Sequence, residues 1–590
     1  MSNPRDFYKN RVILFEAELK KTKQSLYISS VLRLLVFVTT LIAAYYFFGT
    51  TNLFWAVLLG GIVLFLLLVL RHVKLVYQKK KAIALIEINR TELHVLDRNF
   101  DQLYDGATFE DSSHYYSSDI DLFGSGSFYQ YLNRSELPEG QIALSKLLTE
   151  NNILDIPEKQ SIIQELGAIP VWRQDFSAVA KIIKKDMSTV DLQKWMHNYS
   201  LFLPKTMRFI PLAFSILSGI VILLYATDVI PGFFLFAWFL LGLGISGRYV
   251  QKINKLSQAS SKVQDTLQQY QKLLGLIEEK KFESELLEKK RNNLVNEVSN
   301  ASVLLHKFYR FLSALDQRNN LLVGIFLNGF MLWDLKQVYS IETWITENRD
   351  NLTLWIETLV YFDAYNSLGN FAFNHNSFVY PKLTRENTVI KATNLGHPML
   401  DPKDSIANDF NINLEQFYII TGANMAGKST FLRTISLFIV MSNIGLPVCA
   451  STACYRPIKL ITSMRSVDSL SANESYFYAE LKRLKFITEE IEKDQYFVIL
   501  DEILKGTNSK DKAAGSEKFI QKLVNSKTVG LTATHDLSLC KMADTDPRIK
   551  NYFFDAQIEK DELFFDYKFQ EGVCSNMNAS FLLRKMNIVD

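Results

Sequence analysis

Gly422-Ala423-Asn424-Met425-Ala426-Gly427-Lys428-Ser429-Thr430 matches the pattern G-x-x-x-x-G-K-[ST] in this chain of 590 residues. An apolar run at 417–421 precedes it and a helical pattern at 429–438 follows, the order that a phosphate-binding loop requires. Glycines let successive backbone N–H groups and the helix N-terminus face phosphates, while Lys428 adds a charge and Ser429 a hydroxyl ligand for Mg²⁺. The stretch therefore predicts an α/β P-loop NTPase that binds ATP with Mg²⁺ and hydrolyses it. A chance match in a glycine-rich turn is the alternative.

Two further apolar runs end in residues suited to this chemistry. The run 496–500 leads into Asp501 and Glu502, as in a Walker B strand. We assign Asp501 to the hydration shell of the metal and Glu502 to the general base. The run 528–532 ends shortly before His535, where an imidazole can sense the γ-phosphate; a purely structural histidine is the alternative.

The residues around these motifs are similar to those of the MutS family of DNA mismatch-repair ATPases. Residues 421–430 resemble the family's TGPNMGGKST loop, with Ala423 in place of the proline, and residues 501–507 resemble its DEIGRGT. The segment 475–480 is similar to the family's S-T-F-M-x-E, which implies that Ser475 caps the γ-phosphate bound by a second subunit. The resemblance thus implies a homodimer that encloses ATP between its subunits, with an ABC-type ATPase domain.

The resemblance continues upstream but is incomplete. Residues 119–124 and 131–134 resemble the beginning of the family's helical core or lever region, and residues 363–381 resemble its end. Asn473, however, stands where the family has a signature glycine. Neither a mismatch-reading domain nor a full DNA clamp is expected, because the segments outside the matched regions leave little room for them.

Four apolar segments, at 29–48, 53–70, 209–226 and 230–247, are unusual for that family. A helix of eighteen residues is about 27 Å long, close to the hydrocarbon thickness of about 30 Å. The short links within each pair predict two transmembrane hairpins, so four transmembrane helices in all; buried helices of a large soluble core are the alternative. No cleavable signal peptide is expected at the N-terminus.

Basic residues flank both hairpins and are absent from their tips. By the positive-inside rule both tips face outward and the large segments stay cytoplasmic, at a cell (inner) membrane. The flanking residues are Lys20, Lys21, Lys23, Arg71, Lys74, Lys79, Lys80 and Lys81 for the first hairpin, and Lys205, Arg208, Arg248, Lys252 and Lys255 for the second.

These observations predict six regions. They are a cytoplasmic segment (1–28), hairpin 1 (29–71), the first part of a core-like helical region (72–207), hairpin 2 (208–247), lever-like long helices with the end of the core (248–385) and the ATPase domain (386–590). From about Val250 to Arg318 apolar residues recur at three- and four-residue spacing, which predicts one long amphipathic helix or a helical pair. This element either couples nucleotide state to the membrane or serves as a scaffold.

The amino-acid composition excludes few classes of function. A net charge of +3 gives no general case for nucleic-acid binding, and the four cysteines lack paired metal-ligand spacing. Two functions remain open. One is a membrane-anchored ATPase that acts on mismatched or branched DNA in repair or recombination, as the resemblance implies. The other is an ATP-driven membrane tether or remodelling machine with a protein partner and no DNA role, of which a transporter is a weaker form.

Overall fold

The computed structural model describes residues 3–49, 51–182, 189–261, 263–295, 299–401, 403–465, 476–505, 507–559 and 562–574. Helices dominate as far as Asn374, and an α/β domain follows from Lys382. Within the described residues the α-helices are α1 (Pro4–Tyr46), α2 (Thr51–Leu96), α3 (Phe128–Leu132), α4 (Pro138–Thr149), α5 (Ile156–Ala168), α6 (Pro170–Lys181), α7 (Thr189–His197), α8 (Ile210–Ala226), α9 (Gly232–Gly247), α10 (Val250–Ser261), α11 (Gln264–Glu279), α12 (Glu285–Asn292), α13 (Ala301–Asp316), α14 (Leu321–Met331), α15 (Trp333–Asn374), α16 (Lys428–Asn443), α17 (Tyr476–Ile491), α18 (Ser509–Asn525) and α19 (Met542–Thr545).

Helices α1 and α2 form a long antiparallel hairpin. Its tip carries exposed apolar side chains, whereas its base is polar and packs on the helical region. At the base, Arg5 pairs with Asp97, and the buried hydroxyl of Tyr8 donates to Asn374 at 2.7 Å. Both helices are long and apolar enough to cross a membrane, and they continue without a break through the predicted boundaries of hairpin 1.

The second predicted hairpin consists of α8 and α9, which have 17 and 16 residues. They pack through the rings of Phe214 and Trp238, which stack at 4.7 Å, and the Trp238 indole donates to Ser218 at 2.8 Å. Each is shorter than a typical span; α9 continues into α10 after a bend of 64°. The described residues therefore contain two long apolar helices rather than four, and the spanning of α8 and α9 stays a prediction.

The long helix of the core is α15, with 42 residues, and not the segment from Val250 to Arg318. That segment is helical but divides into α10, α11, α12 and α13. One of these breaks is held by a tertiary contact: just before α12, the backbone N–H groups of Glu283 and Ser284 donate to the carboxylate of Glu165, each at 2.8 Å. Helix α15 packs against α4, α5 and α13 and ends close to the α/β domain.

The α/β domain contains two main sheets. In chain order the strands are β1 (Lys382–Leu383), β2 (Thr388–Leu395), β3 (Asn408–Asn413), β4 (Phe417–Gly422), β5 (Thr452–Tyr455), β6 (Lys459–Ser463), β7 (Tyr496–Asp501), β8 (Val529–Ala533), β9 (Ile549–Phe554), β10 (Gln557–Glu559), β11 (Glu562–Phe564) and β12 (Phe569–Glu571). The larger sheet has the order β12-β9-β4-β8-β7-β6, parallel except for β12. Because β4, β8 and β7 are neighbours, the loops at their carboxyl ends meet at one edge.

Candidate functional site

The glycine loop between β4 and α16 closes around the ammonium group of Lys428. Its Nζ donates to the carbonyl oxygens of Gly422 and Ala423, both at 2.8 Å. Gly422 and Gly427 have φ angles of 151° and 99°, in the region that favours glycine. A Cβ at Gly422 would also lie 2.7 Å from the carbonyl oxygen of Phe554 on β9. The two glycines thus permit the turn that brings Lys428 back over the end of β4.

Ser429 and Asp501 meet across the sheet edge. The hydroxyl of Ser429, in the first turn of α16, donates to Oδ2 of Asp501 at the end of β7, at 2.7 Å. Both are oxygen ligands of the kind that Mg²⁺ prefers, and Mg²⁺ usually takes only one or two protein ligands besides water and phosphates. Among the described residues, groups of three or more His, Cys, Asp or Glu that could hold a metal are absent. The Ser429 hydroxyl and the Asp501 carboxylate thus supply two oxygen atoms of the kind that Mg²⁺ takes.

Glu502 and His535 are hydrogen-bonded beside this pair. Nε2 of His535 lies 2.9 Å from Oε1 of Glu502 and 3.5 Å from Nζ of Lys428. The hydrogen bond from His535, helped by the nearby charge of Lys505, lowers the pKa of Glu502 to about 2, against the effect of burial. Burial lowers the pKa of Lys428, although Asp501 and Glu502 oppose that shift. Glu502 is consequently a carboxylate at neutral pH, held toward the glycine loop.

The turn that carries Glu502 is held by Glu480 on α17. Glu502 and Leu504 have φ angles of 51° and 59°, a conformation that costs about 1–3 kcal/mol for a residue other than glycine. Oε1 of Glu480 accepts hydrogen bonds from the backbone N–H groups of Leu504 (2.5 Å) and Lys505 (3.3 Å). Glu480 thereby positions the Glu502 turn from outside the sheet.

A cleft of about 540 Å³ opens from the glycine loop toward the smaller sheet. Its far side is lined by His397, Ile406 and Tyr567. Burial lowers the pKa of His397 to about 4, so this imidazole is neutral at pH 7. Tyr567 lies against the loop, because a Cβ on Gly427 would be 3.0 Å from its ring. The cleft therefore has a polar end at Lys428 and a more apolar end at Tyr567.

Tyr567 had no local signal in the sequence. It follows β11, far along the chain from the glycine loop, and it is fixed there by Asn408 on β3. The Asn408 side chain donates to the carbonyl oxygen of Tyr567 at 3.0 Å and accepts from the N–H of Phe569 at 2.9 Å. Only the pairing of the last strands with the rest of the domain brings this ring to the cleft.

The helical region also reaches the site. Oδ1 of Asp121 lies 2.6 Å from the guanidinium group of Arg465, which follows β6. Oδ2 of Asp121 lies 3.3 Å from the guanidinium group of Arg433 on α16. The neighbouring Asp119 is buried and accepts from the hydroxyl of Thr462 at 2.5 Å and from the N–H of Arg465 at 2.8 Å. The segment 119–124 is thus attached to the helix that follows the glycine loop.

The structure brings together most of the predicted site residues. Lys428, Ser429, Asp501, Glu502 and His535 lie at one end of the cleft, as do Asn424, Met425, Gly427 and Thr430. Ala426 is buried beneath the loop. Ser475 and Asn473 lie outside the described residues, so the implied contribution of Ser475 to a partner's site stays a prediction.

A comparison with protein families agrees with this geometry. The family model described as MutS domain V matches residues 418–584, which include β4, the glycine loop and the Asp501–Glu502 turn. Residues 418–584 are therefore similar to domain V of the MutS family. The matched MutS segment begins one residue into β4, so the helical region and the apolar helices lie outside the family model.

Individual MutS relatives resemble the same part of the chain. The chain is 28% identical over 255 residues to the DNA mismatch repair protein MSH4 of Arabidopsis thaliana, covering 41% of this chain and 31% of the relative. It is 31% identical over 193 residues to MutS protein homolog 4 of Homo sapiens, covering 31% and 20%. It is 32% identical over 219 residues to the DNA mismatch repair protein MutS of Methanococcoides burtonii, covering 36% and 24%. The chain thus matches less than a third of the length of these relatives.

Proposed function

We propose that this protein is a membrane-anchored MutS-type ATPase that binds and hydrolyses ATP in a dimer and acts on DNA. The observation that supports ATP hydrolysis best is the convergence of three contacts in one cleft: Lys428 within the glycine loop, Ser429 on Asp501, and His535 on Glu502. These groups come from three neighbouring parallel strands, and each has a distinct role in phosphoryl transfer.

Each residue of this cluster receives one task. Lys428 exchanges its loop carbonyl partners for the β- and γ-phosphates, while the N–H groups of 423–429 hold the phosphate oxygens. Ser429 and Asp501 are the residues that would hold Mg²⁺, directly or through water, and the ion would neutralise part of the phosphate charge. Glu502 orients and deprotonates the attacking water, and His535 keeps the Glu502 carboxylate ionised and turned toward the γ-phosphate.

The other end of the cleft suits the adenine base. Tyr567 offers an aromatic ring beside Gly427, and Ile406 adds an aliphatic side chain to the lining of the same end of the cleft. A planar base stacked on Tyr567 would gain about 1–3 kcal/mol, judged from base stacking on aromatic side chains in nucleic-acid complexes. A Tyr567→Ala variant should therefore weaken ATP binding without removing the phosphate contacts.

The exposed apolar helices support the membrane anchor. Apolar side chains in the middle of α1 and α2 are exposed, as are most of those on α8 and α9, and a soluble protein rarely exposes so large an apolar surface. Basic residues lie only at the ends that join the rest of the chain. We propose that all four helices cross a cell (inner) membrane as two hairpins and that the ATPase lies in the cytoplasm.

The DNA role comes from the relatives, whose names are those of mismatch-repair proteins. We would measure ATP turnover of the full chain in lipid nanodiscs with homoduplex, mismatched and branched DNA over a salt series, with Lys428→Ala as the blank. Stimulation by DNA should fall steeply with salt, because binding releases counterions from the phosphates. Turnover that no DNA changes would refute the DNA role.

An ATP-driven tether or remodelling machine is the second candidate. It is favoured by α15, which begins beside α8 and α14, packs along the helical region and ends close to the α/β domain. A rigid helix of 42 residues, about 63 Å long, could transmit a change in the dimer to the membrane. Turnover that responds to lipid composition but not to DNA would support this function.

A further inference from the structure

Helix α14 has an exposed apolar face that no part of the described chain covers. Its sequence, Leu321 to Met331, contains no charged residue, and three side chains on its outer face are exposed: Leu322 (78%), Ile325 (42%) and Phe326 (59%). An exposed helix of a soluble protein normally shows polar side chains to water. The outer face of α14 instead consists of apolar side chains.

The one polar side chain of α14 points inward. Asn328 is buried; its Nδ2 donates to the carbonyl oxygen of Gly324 at 3.0 Å, and its Oδ1 accepts from the N–H of Asp334 at 3.0 Å. Ser246, near the end of α9, donates to the same oxygen at 3.4 Å. A helix in contact with lipid is expected to have its polar groups inside and its apolar groups outside, as α14 does.

The apolar face of α14 is continuous with that of α9. The two helices cross so closely at Gly242 and Gly329 that a Cβ on Gly242 would lie 2.2 Å from the carbonyl oxygen of Gly329. Next to this crossing, the rings of Phe239 and Phe330 lie 5.2 Å apart. Small residues at such a crossing are typical of helices packed within a membrane. The crossing lies toward the end of α9 that is followed by the basic residue Arg248.

Length and flanking residues limit the depth of α14. Eleven helical residues span about 16 Å, roughly half of the 30 Å hydrocarbon core. At its C-terminal end, Trp333 donates its indole N–H to Ala314 at 2.9 Å, and the ammonium of Lys336 lies 5.8 Å from the centre of its ring. Tryptophan and lysine are enriched where a membrane meets water.

We infer that α14 is a lipid-facing helix embedded in the cytoplasmic leaflet beside the base of α8 and α9, with acyl chains against Leu322, Ile325 and Phe326. The inference rests on the proposed membrane anchoring and adds a fifth membrane element that does not cross the bilayer. Because Leu332 alone separates α14 from α15, the embedded helix joins the long core helix directly to the leaflet.

The test is the accessibility of a nitroxide spin label on the full chain in phospholipid nanodiscs. Cysteine replaces Phe326, and in a second variant Ile325, in a chain whose four native cysteines are changed to serine. Phe236→Cys on α9 (58% exposed) is the lipid reference, and Val303→Cys on α13 (46% exposed) is the water reference. Collisions with oxygen, which concentrates in lipid, are compared with collisions with a water-soluble nickel chelate.

We expect the labels at 325 and 326 to resemble the Phe236→Cys label, with a several-fold higher ratio of oxygen to nickel collisions than the Val303→Cys label. If both resemble the label on α13 while the label on α9 is in lipid, α14 lies in water and the inference is wrong. If the label on α9 is itself accessible to nickel, the anchoring through the second hairpin fails, and the inference fails with it.

Discussion

Replacing Glu502 by glutamine tests the proposed chemistry most directly. Oε1 of Glu502 lies 2.9 Å from His535, and the hydrogen bond from His535 lowers its pKa to about 2. Glutamine has the same shape and keeps an oxygen for His535, but it cannot take a proton from water. Removing a general base typically costs about 10²–10⁴ in rate. Glu502→Gln should therefore lower kcat by that factor, which corresponds to about 3–5 kcal/mol of activation free energy.

Binding should survive this change. In Glu502→Gln, Lys428 keeps its place in the glycine loop and Ser429 keeps its hydrogen bond to Asp501, so the affinity for ATP with Mg²⁺ should stay close to that of the unmodified protein. The assay measures steady-state phosphate release and, by calorimetry, ATP binding, both on the full chain in one detergent solution. The matched control is Glu517→Gln, the same chemical change at an exposed position on α18.

The two measurements separate chemistry from folding. A variant that binds ATP normally yet retains more than about a tenth of the turnover would refute the assignment of Glu502 as the base. Loss of both binding and turnover would instead indicate that Glu502 is needed for the folded structure of the loop. Since slow hydrolysis prolongs the ATP-bound state, the same variant should also collect as a dimer in size-exclusion chromatography with light scattering, if ATP lies between two subunits.

Three further results are expected. Lys428→Ala should abolish measurable ATP binding in calorimetry, because the loop loses its only lysine; wild-type affinity in this variant would contradict the site. Gly242→Val should lower the thermal stability of the full chain in detergent by about 1–3 kcal/mol through its clash with α14, whereas Gly244→Val, which has open space, should not; equal effects would contradict the close crossing. The Glu502 pKa lies below the ordinary value of 4.5, so its stabilisation is present above about pH 4.5 and is lost as pH falls toward 2. The difference in melting temperature between wild type and Glu502→Gln should shrink over that window, and a constant difference would contradict the hydrogen bond that stabilises the Glu502 carboxylate.

The helical prediction for the middle of the chain shows how far periodicity reaches. Apolar spacing between Val250 and Arg318 correctly indicates helix, because side chains three and four residues apart share a face whatever lies opposite. It does not reveal where the helix stops. The linker between α11 and α12 is held by Glu165, which is more than a hundred residues away and accepts hydrogen bonds from two backbone N–H groups just before α12. Periodicity likewise did not indicate the length of α15, because that length depends on the helices packed along it.

For a related reason, the sequence analysis contains no signal for the lipid contact inferred for α14. A pattern of hydropathy identifies segments long enough to cross a bilayer, and eleven apolar residues could as well form a buried core helix. That α14 is exposed, that Asn328 points inward, and that Gly242 meets Gly329 are facts of packing. None of them follows from the order of residues alone.

The sequence by itself determined the glycine loop and its immediate chemistry, because a phosphate loop is built from consecutive residues between a strand and a helix. It also indicated Asp501, Glu502 and His535, since strand ends in a parallel sheet meet at one edge. Only the tertiary structure placed Tyr567 beside Gly427 and attached Asp121 to Arg433 and Arg465. Those contacts join residues far apart in the chain through side chains of common types, and only strand order and helix packing select them from all the other tyrosines and aspartates.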